Sequence, residues 1–362
     1  MTCSSVPSRE RRSIATRTAL VTGRMGGAEN EESAVRALQD FALRVGSVQS
    51  PLTGRLDAAA GALFPAFQEA GVAALLLKGP GLARLLYTPQ EHRAYTDLDL
   101  LVEPRDWRRA GEVLAALGFR NASADLGIDD VGGVVHDQSW VGVRDGGHEG
   151  LLVELHQWLP GSRAAPEQAW PALVADSTTI DVGGHPVRTL NRSGQAMHLA
   201  LHAAQHGPGF AKGLWELELA LDRWPLAAWS EAAALAADID AGDAFAVGLR
   251  LVPDGEALAT SLGLRPSARL EWEIENRHLR PRGAFHFEAL VEASGIRGRL
   301  ALLRRALLPD AGWILAQHPW ARVGRGRLPA AYVVHLMRAP IWTLRSLTYS
   351  RRARQARRST HR

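Results

Sequence analysis

The stretch Leu75–Val102, LLLKGPGLARLLYTPQEHRAYTDLDLLV, decides how the rest of the chain is read. The apolar run Val72–Leu77 breaks abruptly at Lys78-Gly79-Pro80-Gly81, and a short helix-like segment, Leu82–Tyr87, follows. After a polar loop, Asp97, Asp99 and Leu101 alternate with Leu98, Leu100 and Val102. Strand residues two apart share a face, about 6.5–7 Å apart along the strand. The alternation therefore predicts a strand that turns both carboxylates to one side and packs Leu98, Leu100 and Val102 on the other. Neighbouring carboxylates repel unless a cation sits between them, which makes the pair a candidate Mg²⁺ site. A D-x-D alone also fits a surface strand with solvated acids. Its context argues for more. Gly79 and Gly81 around Pro80 suit a strand-to-helix turn, which offers backbone N–H groups to a phosphate, with Lys78 beside it.

Downstream, Pro104 opens a helix expected to run to Leu117, with Trp107, Ala110, Val113, Leu114 and Leu117 inward. Residues 120–133 read as a loop containing Asp and Gly. Val134–Arg144 and Leu151–Trp158 read as strands joined by a turn at Asp145-Gly146-Gly147. In the second of these, LLVELHQW, Glu154 and His156 alternate with Val153, Leu155 and Gln157, so the acid and the imidazole share a face. Upstream, residues 32–45 and 55–70 carry apolar residues at helical spacing and are assigned to packing. Residues 176–190 form a hairpin around Gly183-Gly184. From Ser193, expected to cap a helix, the chain turns helical. His198, His202 and His206 recur every four residues and so lie along one stripe. They do not form a zinc-protease motif, because Ala203 stands where H-E-x-x-H needs its glutamate.

Lys78-Gly79, then Arg93, then Asp97-Leu98-Asp99-Leu100-Leu101-Val102 resemble the motif of a bacterial family of uncharacterised nucleotidyltransferases within the DNA polymerase β-like superfamily. The resemblance covers about residues 60 to 225. It implies an α/β (α+β) fold: a nucleotidyltransferase domain with a mixed sheet, followed by an all-helical C-terminal domain. It also implies transfer of a nucleoside monophosphate from an NTP such as ATP to an acceptor, with Mg²⁺ or Mn²⁺ as cofactor and release of pyrophosphate. On that reading Asp97, Asp99 and Glu154 are the catalytic, metal-holding carboxylates, and Lys78, Gly79, Gly81 and Arg93 bind the nucleotide. His156, His202, His206 and Glu218 are the candidate acceptor contacts, the last from the helix after the histidine stripe. Three departures stand out. The turn is Lys-Gly-Pro-Gly where superfamily members usually carry Gly-Ser or Gly-Gly, so a hydroxyl contact to phosphate is absent. The third carboxylate is Glu where many members use Asp, and Trp158 stands one place later than in the family pattern.

The composition is compatible with this. A chain of 362 residues, 46% hydrophobic and 22% charged, is globular and long enough for one large or two ordinary domains. One cysteine, Cys3, excludes a disulfide framework and a thiolate metal cluster and agrees with a cytoplasmic setting. A net charge of +4 allows nucleic acid without demanding it. The domain expectation is a flexible leader over residues 1–30, the nucleotidyltransferase domain with its N-terminal helices over 31–190, a helical domain over 191–348 and a basic tail over 349–362. Met1–Gly27 lacks the continuous apolar core of a signal peptide, and no stretch offers the ~20 apolar residues of a membrane span. The acceptor stays open between small molecule, protein and RNA, the last through the basic tail. Two other function classes also stay open: a nucleotide-binding module without catalysis, and an accessory or assembly protein whose helical half holds a partner.

Overall fold

The computed structural model describes residues 50–122, 137–143, 147–276, 296–309, 311, 314–315, 318–322 and 327–359. They form a mixed α/β fold with seven strands, in parallel and antiparallel pairings, and a helical C-terminal region. The helix expected over 32–45, the leader and most of the 120–133 loop lie outside the described residues. Two compact units interleave along the sequence. One takes Met1–Ala58, Leu75–Thr96 and Leu159–Pro266; the other takes Ala59–Ala74, Asp97–Trp158 and Ser267–Arg362.

The second unit carries the D-x-D strand. In chain order its strands are β2 (Asp97–Val102), β3 (Phe119–Asn121), β4 (Asp137–Gly142) and β5 (Leu152–His156), set side by side as β3-β4-β5-β2. Strands β2 and β5 run parallel, and β4 runs antiparallel to β5 and to β3. One face gathers Leu98, Leu100, Val102, Val153, Leu155 and Trp140, all buried. Helix α3 (Trp107–Ala116) approaches Trp140 so closely that a Cβ on Gly111 would lie 3.0 Å from its ring. The continuous helix expected from Pro104 is instead a 3-10 turn, Pro104–Asp106, followed by α3. The buried Asp106 carboxylate accepts the Ala73 N–H at 3.0 Å and so holds the entry to the helix apart from its body. Strand β3 falls partly where a loop was expected; three residues are too few to show an alternation.

The same unit ends in helices: α10 (Ala268–Glu275), α11 (Ile296–Leu307) and α12 (Arg327–Ser359). Trp272 of α10 meets Tyr349 of α12 with ring centroids 5.2 Å apart, and Tyr349 donates to the Glu273 carbonyl at 3.2 Å. His335 bonds the Ala306 carbonyl of α11 at 2.9 Å. Helix α12 continues well into the segment read as a basic tail. Among the described residues, no helix is long and apolar enough to cross a membrane.

In the first unit, strand β1 (Ala74–Leu76) runs parallel to β7 (His185–Leu190), which pairs antiparallel with β6 (Ser177–Val182). Gly183 and Gly184, both at positive φ, make the hairpin turn as expected. Helix α1 (Pro51–Glu69), which belongs to this unit only up to Ala58, precedes β1, α2 (Pro80–Leu86) follows it, and α4 (Pro166–Ala175) precedes the hairpin. Helices α5 (Arg192–His206), α6 (Ala211–Arg223), α7 (Leu226–Asp238), α8 (Gly242–Arg250) and α9 (Pro253–Ser261) complete the unit. The cap of α5 is Asn191, whose side chain accepts the Gly194 N–H at 3.0 Å, and not Ser193. The Ser193 hydroxyl, buried two residues after the cap, donates to Glu231 of α7. Helices α5 and α8 cross at Gly248, where an added Cβ would overlap the Ala200 carbonyl oxygen.

Since that oxygen belongs to a helix backbone and cannot step aside, Gly248→Ala is expected to force the two helices apart. The strain predicts a loss of about 1–3 kcal/mol in urea unfolding. A midpoint equal to that of the parent chain would show that the crossing is looser than described.

Candidate functional site

Strand register decides what the acids can do. Asp97 pairs with Leu152, Asp99 with Glu154 and Leu101 with His156 across β2 and β5. Paired residues share a face, so Asp97, Asp99, Glu154 and His156 project from the side opposite the apolar core. Asp99 is 1% exposed, and Glu154 and His156 are half-buried. His156 Nε2 lies 3.2 Å from Asp99 Oδ1 and 3.8 Å from Glu154 Oε2. One ligand atom from each of these three residues falls within 4.8 Å of the others. Among the described residues this is the only such group of three. Asp97 stands two residues earlier on the same face and outside that group. His156 thus sits inside the acidic cluster, although the resemblance offers it as an acceptor contact.

Strand β4 extends this face. Ser139 pairs with Glu154, and Asp137 pairs with His156. Sequence reading named neither. Their signal is the alternation in Asp137-Gln138-Ser139-Trp140-Val141, where the buried Trp140 fixes which side faces inward.

In the first unit, Gly79 at φ 60° occupies the cap position of α2, with Pro80 as the first helical residue. Its left-handed backbone explains a glycine at 79. Gly81 answers to packing. A Cβ there would lie 2.5 Å from Thr189 Oγ1, and its N–H bonds back to the Lys78 carbonyl at 3.3 Å. Arg93 is buried and closes its fork on Glu216 of α6, Nε at 2.7 Å and Nη2 at 3.1 Å. Its Nη1 donates to the Gly79 carbonyl at 3.3 Å, and Tyr87 donates to Glu216 at 3.0 Å. The resemblance gives Arg93 to the nucleotide; the structure shows its guanidinium joining the Gly79 turn to α6. Burial pushes the Glu216 carboxyl up, but Arg93, Lys212 and the Tyr87 hydrogen bond outweigh it and hold it below the usual range. Burial beside Glu216 raises the Tyr87 phenol well above its ordinary value. Glu216 was also missed from sequence; it shares a helix stripe with Gly213 and Ala220, an acid among buried positions.

The histidine stripe is real. His198, His202 and His206 follow one another on α5, with ring centroids 6.2 and 4.5 Å apart, and the Phe210 ring lies edge-on to His202 at 5.3 Å and tilted to His206 at 4.6 Å. Glu218 is buried on α6.

Removing one partner of a buried ion pair strands the other charge. Arg93→Met is therefore expected to destabilise the chain by about 3–5 kcal/mol, and Glu216→Gln by less. Because the folded pKa of Glu216 is lowered from 4.5, its contribution is present above that pH and lost as the pH falls below it. Urea midpoints at neutral pH and at about pH 3 should therefore converge between Glu216→Gln and the parent chain. A gap that stays constant across that range would contradict the pairing.

Residues 53–254, more than half of the chain, match the family model described as an uncharacterised nucleotidyltransferase. No curated protein matches the chain. Among solved structures, an antigenic nucleotidyltransferase-like protein from Paracoccidioides brasiliensis is similar at 13% identity and a TM-score of 0.33, over 59% of this chain and 94% of that one. The D-x-D strand, its parallel neighbour and the Lys-Gly turn all fall inside the matched segment. The chain belongs to the family of uncharacterised nucleotidyltransferases.

Proposed function

We propose that the protein transfers a nucleoside monophosphate from an NTP to an acceptor hydroxyl or phosphate, releasing pyrophosphate. The observation that carries this reading is the convergence of Asp99, Glu154 and His156 from two parallel strands. Two carboxylates and an imidazole nitrogen fit a divalent cation of the Mg²⁺ or Mn²⁺ kind, and the nitrogen donor suits Mn²⁺ better than Mg²⁺. When bound, such ions neutralise charge on the triphosphate and make the acceptor oxygen a better nucleophile. Asp99 and Glu154 hold the cation, and Asp97 adds a carboxylate from the same face. The His156 ring is kept in place by its 3.2 Å contact with Asp99. Lys78 and the Gly79 turn contact the triphosphate, as the family resemblance implies. Arg93 acts on that turn through the Gly79 carbonyl.

A nucleotide-binding module without transfer is the second reading. It is favoured by the commitment of the Gly81 N–H to Lys78 and of the Arg93 fork to Glu216, which leaves the turn fewer donors for phosphate.

Pyrophosphate release from each NTP, with Mg²⁺ or Mn²⁺, separates the two. Transfer predicts release that falls at least about 100-fold in Asp99→Asn and in Glu154→Gln, with circular dichroism unchanged. It also predicts a Mn²⁺-dependent rise in Tm that both variants lose. Release that survives Asp99→Asn would overturn the assignment of the carboxylates. NTP binding without any release would favour the module.

A further inference from the structure

We propose that helices α11 and α12 form a docking face for an anionic lipid surface. Helix α12 has two opposite sides. Ala331, His335, Ser346, Tyr349 and Ala353 are buried at helical spacing and pack inward. On the other side, Val333, Met337, Ile341 and Leu344 recur at steps of four, four and three, and are 55%, 72%, 53% and 67% exposed. Arg338, Arg345 and Arg352, seven residues apart and all exposed, run along one edge of that apolar stripe. Helix α11, packed against α12, repeats the pattern. Ile296, Leu300 and Leu303 are 73%, 57% and 41% exposed, with Arg299 and Arg304 exposed beside them.

The charge on this face selects its occupant. Residues 327–362 contain nine arginines and neither Asp nor Glu. The whole chain is only +4, so subtracting these nine charges leaves −5 for residues 1–326. A second copy pairing through the same face, apolar stripe on apolar stripe, would set arginines against arginines. A nucleic acid would match the arginines but would leave the apolar stripe facing phosphate and water. An anionic bilayer takes both. Its headgroups meet the arginines, whose aliphatic stems lie along the interface, while Met337, Ile341 and Leu344 enter the boundary by about 5–10 Å. The mode is lying on the surface, as an amphipathic basic helix does, without crossing it.

Co-sedimentation of the full chain tests this, with vesicles of phosphatidylcholine containing about 30% phosphatidylglycerol, against phosphatidylcholine alone. The expected result is binding to the anionic vesicles only, weakening as salt rises. Replacing Arg338, Arg345 and Arg352 by Gln should reduce it about 100-fold, at roughly fivefold per charge. Met337→Glu with Ile341→Glu should reduce it at least about tenfold, and since both side chains are exposed the fold should persist by circular dichroism. Equal sedimentation with both vesicles, or anionic binding untouched by Met337→Glu with Ile341→Glu, overturns the proposal. So does light scattering that shows a dimer abolished by the same pair. RNA binding that depends on Met337 and Ile341 as strongly as vesicle binding would also overturn it.

Discussion

Asp99 and Glu154 stand directly opposite each other on neighbouring parallel strands, and Asp99 is almost fully enclosed. Like charges in that position repel. At about 5 Å and an effective dielectric near 20 the repulsion is about 3 kcal/mol. The strands hold this arrangement because their other face is apolar. Leu98, Leu100, Val153 and Leu155 are all fully buried, and each contributes about 1.5–3 kcal/mol. Together they outweigh the repulsion by a factor of two or more. A one-residue slip of β5 against β2 would turn those side chains to the polar side, so the core that offsets the repulsion also enforces it. His156, two residues along on the same face, then sits between the two carboxylates with a nitrogen that can meet either. Two carboxylates and an imidazole brought together by a core in this way form a group with the donor atoms a divalent cation takes, held by the strands themselves.

A second buried electrostatic unit works differently. Arg93 and Glu216 neutralise each other inside the first unit, and a buried pair of this kind adds little net stability over an apolar replacement. Its value lies in geometry. The planar guanidinium satisfies both carboxylate oxygens and the Gly79 carbonyl at once, so helix α6 and the turn after β1 keep one spacing. Tyr87 completes the set. The turn that the family resemblance gives to phosphate is thereby shaped by an acid 137 positions further along the chain, Glu216.

The charge of the molecule is also organised rather than small. A net +4 conceals a C-terminal segment of nine arginines and a remainder that is acidic overall. On α12 three of them, Arg338, Arg345 and Arg352, run beside exposed Met337, Ile341 and Leu344, so charge and apolar surface share one face.

The sequence by itself determined the D-x-D strand, the Lys-Gly-Pro-Gly turn into a helix, the Glu154/His156 strand, the Gly183-Gly184 hairpin and the histidine stripe. Each is a local pattern, an alternation by two in a strand, a spacing by four in a helix or glycines at a turn, and local patterns survive without knowledge of partners. Family membership follows from those same elements in order. Only the tertiary structure decided the rest. That Glu154 lies opposite Asp99, with His156 in the cluster and Asp97 at its margin, is a matter of strand register, which alternation cannot reveal. That Asn191 rather than Ser193 caps α5 depends on where the chain leaves β7. That Arg93 meets Glu216, and that Gly81 is small because Thr189 is near, are contacts between residues more than 100 apart in sequence, set by packing alone.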